Sequence, residues 1–398
     1  MDVFGLFAHP YVGDYHSLAE QLAPNLFRSF CTRAIKEQPG GSDPLLESFI
    51  QDLDQRPATA AYWTPEQANI VLHLQQSTQM RKDPVWLRTQ IAVAAHLCGL
   101  SDSIHLSATL NNEPLLVRGD ALSAAAIRIE GDREHLRFTD ENDVLIAAYQ
   151  VVHHHGDRPI WQRTDRPTPF ITVDGKPVIP LVGTDWHHHF TEQGHADTPK
   201  PSEGVAAIQA AFDLLQQKIP EYHAWILCFL REITCIPRPD ADSIASNSSG
   251  VRWGGIDIAA PASVTEIVEM LVHECSHQYF HCLYWLGPLA TPEAGLVFSP
   301  LKNQKRPFDR ILLGYHAFGN ALLVFDRLKA LGYGPSMVDR VETVNHYMAA
   351  LAPPLVHTEK LTDLGRAFYE PLRDRLFDQL GFGPGSLEPT LSAHGAPS

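Results

Sequence analysis

The sequence predicts an α+β fold, mainly helical, with a β-rich middle segment and a metal site on one helix that faces a second helix. Three observations predict it. Residues 14 to about 110, and the chain again from 204, carry apolar residues at three- and four-residue steps, the period of a helix with one buried side. Residues 120–185 break instead into short alternating runs punctuated by Gly, Asp and Pro, the pattern of strands and turns. Residues 271–280, LVHECSHQYF, place His273 and His277 one helical turn apart.

The elements follow in chain order. DYHSLAEQLAPNLFRSFCTRAIKE and PVWLRTQIAVAAHLCGL read as amphipathic helices of an N-terminal helical region, 1–110. AAIRIEG, HLRFTD, DVLIAAYQVV and PFITVDGKPVIPLV read as strands of a β-rich region, 111–203, with VDGKPV as a hairpin turn. That region ends in a His-rich loop, WHHHFTEQGHADTPKPSEG. A metal-binding catalytic region, 204–380, follows. It opens with helix broken near Pro220, then a polar Ser/Asn turn and a strand-like GGIDIAA. Helices are predicted over 262–286, 307–331, 335–351 and 360–380, and 381–398 reads as a flexible tail.

Composition narrows the function classes. Hydrophobic residues make up 44% of the 398 and charged residues 19%, as in an ordinary globular chain. There are 31 Lys+Arg against 46 Asp+Glu, a net charge of −15, which argues against a nucleic-acid partner. The six cysteines form no C-x-x-C pair, so reduced thiols and a cytoplasmic location are expected. The N-terminus shows no signal-peptide pattern, and no run approaches the ~18–20 apolar residues of a membrane span.

The helix around LVHECSHQYF carries the chemistry. Ser263-Val264-Thr265-Glu266 fits a capping box, and Gly287 is the expected residue just past the helix end. Val264, Ile267, Val268, Leu271, Cys275 and Gln278 trace one side, while His273 and His277 point together from another. Two imidazoles so spaced can chelate one ion. Glu274 is turned about 100° from His273, beside the ion rather than on it. In a zinc peptidase that carboxylate is the general base toward water.

A third ligand is needed. His281 would sit about 12 Å along the helix axis from His273, too far to close on the same ion. The long metzincin pattern is excluded by Phe280 and Leu283 at its Gly and His positions. Glu293 is a runner-up on a loop-like TPEAG. His316, in RPFDRILLGYHAFGN, is the leading candidate, on a helix that starts near Pro307. The triplets His153-His154-His155 and His187-His188-His189 offer at most two ligands on one side of a strand, or a pocket-lining residue.

The runs SIASNSSGVRWGGIDIAAP, LVHECSHQYF, SPLKNQKRPFDRILLGYHAFGN and LTDLGRAFYEPL together resemble the HExxH motif domain proteins of ribosomal peptide modification. The resemblance covers about residues 240–375. It implies an α-ketoglutarate-dependent non-haem iron peptide β-hydroxylase, with Fe(II) on His273, His277 and His316 and a precursor peptide as partner. Three protein ligands on one side leave positions for 2-oxoglutarate and O₂. Glu274 then orients a ligand or a water. The distal carboxylate of 2-oxoglutarate needs a guanidinium, for which Arg306, Arg310 and Arg252 are the candidates. Two alternatives stay open: a zinc metallopeptidase with Glu274 as base, and a non-enzymatic peptide-binding protein with a structural metal. In each reading WGGIDIAA is a candidate for pairing with an extended peptide.

Overall fold

The computed structural model describes residues 3–38, 40–57, 59–75, 83–111, 113–183, 201–238, 245–299, 301–333 and 337–382. The fold is α+β with a β-rich middle, and the chain forms two compact units: Asp14–Cys282, and Met1–Gly13 together with Leu283–Ser398. These units cut the chain elsewhere than the sequence segments 1–110, 111–203, 204–380 and 381–398 do. Packing joins parts remote in sequence, which local pattern does not report.

The larger unit opens with α1 (Tyr15–Glu37), α2 (Pro44–Gln55), α3 (Ala68–Gln75) and α4 (Pro84–Leu97). The caps are local. Asp14 accepts from the Ser17 N–H at 3.0 Å, Asp43 from the N–H groups of Leu45 and Leu46, and Asp83 from that of Val85. One correction concerns the end of this region. Ile104–Thr109, placed by the sequence in the helical part, is a strand, β1. It alternates buried and exposed residues and pairs with a later strand, a long-range partner that its six residues do not disclose.

After the short hairpin β2 (Leu115–Val117) and β3 (Asp120–Leu122) come β4 (Ala126–Gly131), β5 (His135–Asp140), β6 (Leu145–His155) and β7 (Arg158–Arg163). They form an antiparallel sheet in the order β1-β4-β5-β6-β7. β8 (Phe170–Val173) and β9 (Lys176–Val182) turn through Asp174 and Gly175 at φ 52° and 75°, the two-residue hairpin that VDGKPV predicts. α5 (Pro201–Lys218) and α6 (Pro220–Phe229) meet at Pro220 as expected. They lead into β10 (Glu232–Ile236), β11 (Ser246–Ser248) and β12 (Gly255–Ala259).

This second sheet runs β11-β12-β10-β9-β8, with β9, β10 and β12 parallel and β11 antiparallel to β12. β12 therefore has neighbours on both edges. That corrects the expectation that WGGIDIAA adds a peptide strand: its main-chain groups are already committed to β10 and β11. The stretch read as a Ser/Asn turn supplies β11, the last strand in this order among the described residues. α7 (Val264–Tyr284) follows β12. Its capping box forms as predicted: the Ser263 N–H donates to Glu266 at 2.7 Å, and the Glu266 N–H donates to the Ser263 hydroxyl at 3.3 Å. The expected stop at Gly287 is not used. The helix ends at Tyr284, and the Leu286 N–H closes a turn on the Leu283 carbonyl.

A buried charge cluster holds the middle of this sheet. Glu232 and Thr234 are i, i+2 on β10, and Asp257 pairs with Thr234 across the ladder, so the three share one face. Arg252 lies among them and is 3% exposed. It donates to Glu232 at 2.7 Å, to Asp257 at 2.7 Å and to Thr234 at 2.8 Å. Burial raises the Glu232 carboxyl above the usual carboxylate range, and Arg252 opposes that shift. A side chain at Gly255 would strike the Arg252 guanidinium, which is why glycine stands there.

In the smaller unit, β13 (Leu296–Ser299) and β14 (Gln304–Pro307) make a hairpin, and α8 (Phe308–Leu328), α9 (Val338–Leu355) and α10 (Asp363–Leu380) bury their apolar sides. Gly381 at φ 68° ends α10, with its N–H on the Phe377 carbonyl.

Removing one partner of a buried ion cluster leaves an uncompensated charge. Arg252→Met should therefore lower unfolding free energy by about 3–5 kcal/mol in a urea titration. A loss below 1 kcal/mol would show that the cluster is not what holds β10 to β12.

Candidate metal centre

α7 is buried almost along its length, and His273 and His277 are among its half-exposed positions. The reason is rotational. Gln278 and Tyr279 lock the other side of the helix. Tyr279 stacks on Trp225 with ring centroids 4.1 Å apart and donates its hydroxyl proton to the Trp225 carbonyl at 2.8 Å. Gln278 accepts from the Trp63 indole and the Gly254 N–H, and donates toward the carbonyls of Arg252 and Gly255. With that side held, the two imidazoles lie 4.7 Å apart, centroid to centroid, near perpendicular to each other.

Glu274 stands beside them, 3% exposed. Its Oε1 accepts the Ser246 hydroxyl proton at 2.6 Å and its Oε2 that of Ser248 at 2.5 Å. Both serines come from one side of β11, two residues apart, while Asn247 between them turns to Asp257 at 3.1 Å. Burial raises the Glu274 carboxyl to about 7, and the two serine bonds pull the other way.

Donor atoms of His273, Glu274 and His277 all lie within 4.8 Å of one another, the one group of this kind among the described residues. Two imidazoles and a carboxylate are the donor chemistry of zinc and of non-haem iron, so the residues present fit either metal.

The other predicted site residues fall elsewhere. His281, 6% exposed, packs beside Gly250 and is outside the group. His153, His154 and His155 lie on β6, also outside it, and His187, His188 and His189 lie outside the described residues. His316, Arg306, Arg310 and Glu293 belong to the smaller unit. His316 is 1% exposed, and its Nε2 lies 2.9 Å from the Ala8 carbonyl and 3.1 Å from that of Phe7. Carbonyls only accept, so Nε2 carries a proton, and in the neutral ring the lone pair is on Nδ1. A backbone carbonyl on one ring nitrogen is the arrangement that fixes the tautomer of a metal-ligating histidine. Arg306 and Arg310 are half-buried and Glu293 is exposed. Arg252 departs from its predicted role: its donors go to Glu232, Asp257 and Thr234, so it does not offer an open fork to a cosubstrate.

Sequence reasoning missed Ser246, Ser248 and Gln278. The alternation of S-N-S just before a strand was the available signal for the serines. Nothing local marks Gln278, because its partners lie in two segments remote from it, at Trp63 and at 252–255. No protein-family model matches the chain, and no curated protein matches it. No helix among the described residues is long and apolar enough to cross a membrane.

Loss of either imidazole should lower metal affinity by about 100-fold or more, read as metal content after dialysis of His273→Ala and His277→Ala. Ser248→Ala frees one oxygen of Glu274 while leaving both histidines, and should cost about 10–100-fold in affinity or activity. Wild-type metal content in both histidine variants would remove the site.

Proposed function

We propose that the chain is a cytoplasmic non-haem iron(II)- and 2-oxoglutarate-dependent oxygenase that hydroxylates the β-carbon of a side chain in a ribosomally made precursor peptide. The observation that carries this reading is the engagement of Glu274. Each of its oxygens accepts a short serine hydrogen bond, which ties the carboxylate to β11 as a positioning group beside the two imidazoles. The choice of metal and cosubstrate rests on the sequence flanks that resemble the HExxH motif domain proteins.

Iron(II), when bound, would supply oxidation of a C–H bond coupled to conversion of 2-oxoglutarate to succinate and CO₂, one atom of O₂ going to succinate and the other to the new hydroxyl. The chain's own residues do the rest. His273 and His277 hold the ion from one side of α7. Glu274, kept in place by Ser246 and Ser248, fixes the orientation of what binds next to them. The outer edge of β11 is suited to taking up an extended peptide by main-chain pairing, since its inner edge is already spent on β12. The expectation that His316 completes the ligand set rests on the sequence. Arg306 and Arg310 remain the candidates for the distal carboxylate of 2-oxoglutarate.

A second reading has one observation in its favour. A buried carboxyl raised to about 7 is tuned as a general base works best, which suits a zinc peptidase with Glu274 activating water.

The test incubates anaerobically purified protein with iron(II), 2-oxoglutarate, O₂ and the precursor peptide from its gene neighbourhood. A peptide heavier by one oxygen atom, with succinate released in equal amount, is the expected result. Peptide fragments formed with zinc and without 2-oxoglutarate would replace it by the second reading. His316→Ala should give protein that folds but loses metal. Unchanged metal content would return the third ligand to Glu293 or a histidine triplet.

A further inference from the structure

A second polar site lies in the larger unit on a different side of α7. Tyr279, which packs on α6, is about 200° further round the helix than His277. Beyond α6 a cleft of about 370 Å³ opens beside the tip of the β6–β7 hairpin. Its lining includes His155 and Arg158 from the hairpin, His223 from α6, and Arg231 just after α6.

The two guanidiniums, Arg231 buried and Arg158 half-buried, lack a carboxylate partner among the described residues, which is unusual for arginines so enclosed. Arg231, 4% exposed, spends its donors on main-chain carbonyls. They are those of Trp63, Leu227, Leu230, Ala60 and Cys228, at 2.7–3.3 Å. Three of these acceptors belong to the C-terminal end of α6, whose partial negative charge offsets part of the cation. Arg158 has less. Its terminal nitrogens donate to the carbonyls of Leu230 at 3.4 Å and Val178 at 3.2 Å. Among the described residues, its Nε–H and one hydrogen on each terminal nitrogen are left without an acceptor. His223 is 8% exposed, and its buried Nε2 has no hydrogen-bond partner among the described residues.

Two acidic groups, Glu20 and Asp157, also line the cleft. Glu20 lies 3.3 Å from His16, and Asp157 is exposed. Burial first, and then the charges of Arg158 and Arg231, hold His155 down at about 4. Burial, followed by repulsion from Arg231, pulls Arg158 well below the usual arginine range, and burial brings Arg231 down to about 10. Asp157 is exposed and screened by solvent, whereas Arg231 is buried and Arg158 half-buried, so the two guanidiniums are screened less.

We propose that this cleft binds a small molecule through a carboxylate or phosphate group, clamped by the Arg158 guanidinium and reached by His155 and His223. An oxyanion supplies the missing counter-charge and accepts the donors that Arg158 leaves over. The volume suits a ligand of metabolite size. The site stands independently of the reading of the metal centre.

Thermal unfolding of the full chain, titrated with inorganic phosphate and separately with succinate against sodium chloride of equal ionic strength, tests it. A saturable rise in Tm with either anion is expected, with affinity at least about 10-fold weaker in Arg158→Gln. A response to phosphate alone assigns a phosphate ligand, and a response to succinate alone a carboxylate. The succinate response should persist in His273→Ala, which separates it from the metal centre. No rise beyond chloride, an equal rise in Arg158→Gln, or a succinate response lost in His273→Ala without any response to phosphate would overturn the proposal. Should Arg158→Gln fail to fold, the histidine ring signals of the wild-type protein serve instead, assigned with His155→Gln and His223→Gln. Their movement on adding phosphate or succinate supports the site, and still rings refute it.

Discussion

The side-chain amide of Gln278 sets the rotation of α7, and the candidate metal centre depends on that rotation. It is fully buried and uses both its oxygen and its nitrogen: the Trp63 indole and the Gly254 N–H donate to it, and it reaches the carbonyls of Arg252 and Gly255. A buried amide left half-satisfied costs about 1–3 kcal/mol, so one angular setting of the helix is favoured over its neighbours. That setting sends Tyr279 to Trp225 and leaves His273 and His277 half-exposed. A helix of this hydrophobicity would otherwise have several comparable ways to bury itself, because apolar contact is not directional.

The same demand for satisfied polar groups links the sheet to the centre. Arg252 bridges Glu232 and Asp257 inside the sheet, Asp257 in turn receives the Asn247 amide, and Asn247 belongs to the strand whose flanking serines hold Glu274. Pleating divides the work: odd and even residues of β11 serve opposite sides, one the buried ion cluster and the other the carboxylate beside the histidines. The residue predicted to grip a cosubstrate instead bonds to β10 and β12, and meets β11 only through Asp257, which both it and Asn247 reach.

α7 separates two sites of opposite electrostatic character. On one side, imidazoles and a carboxylate can hold a cation. On the side facing α6, arginines without carboxylate partners among the described residues make a cleft suited to an anion. Hydrogen bonds to main-chain carbonyls let Arg231 stay buried there without a counter-ion, since the end of α6 supplies part of one. Arg158 has only two carbonyls, which is why the ligand argument rests on it.

What the sequence determined by itself was local. The capping box of Ser263 and Glu266, the Asp174-Gly175 hairpin, the break at Pro220 and the one-turn spacing of His273 and His277 each depend on residues within about four positions of one another, where backbone geometry leaves few choices. What only the tertiary structure decided was pairing at long range. It turned a Ser/Asn segment into the strand that holds Glu274, and placed β12 between two neighbours. It also buried Arg252 among carboxylates and brought the β6–β7 hairpin to α6. A serine, an arginine or a glutamine looks the same in sequence whether its partner is water or a residue hundreds of positions away. Packing selects the partner, because a polar group taken out of water must find one.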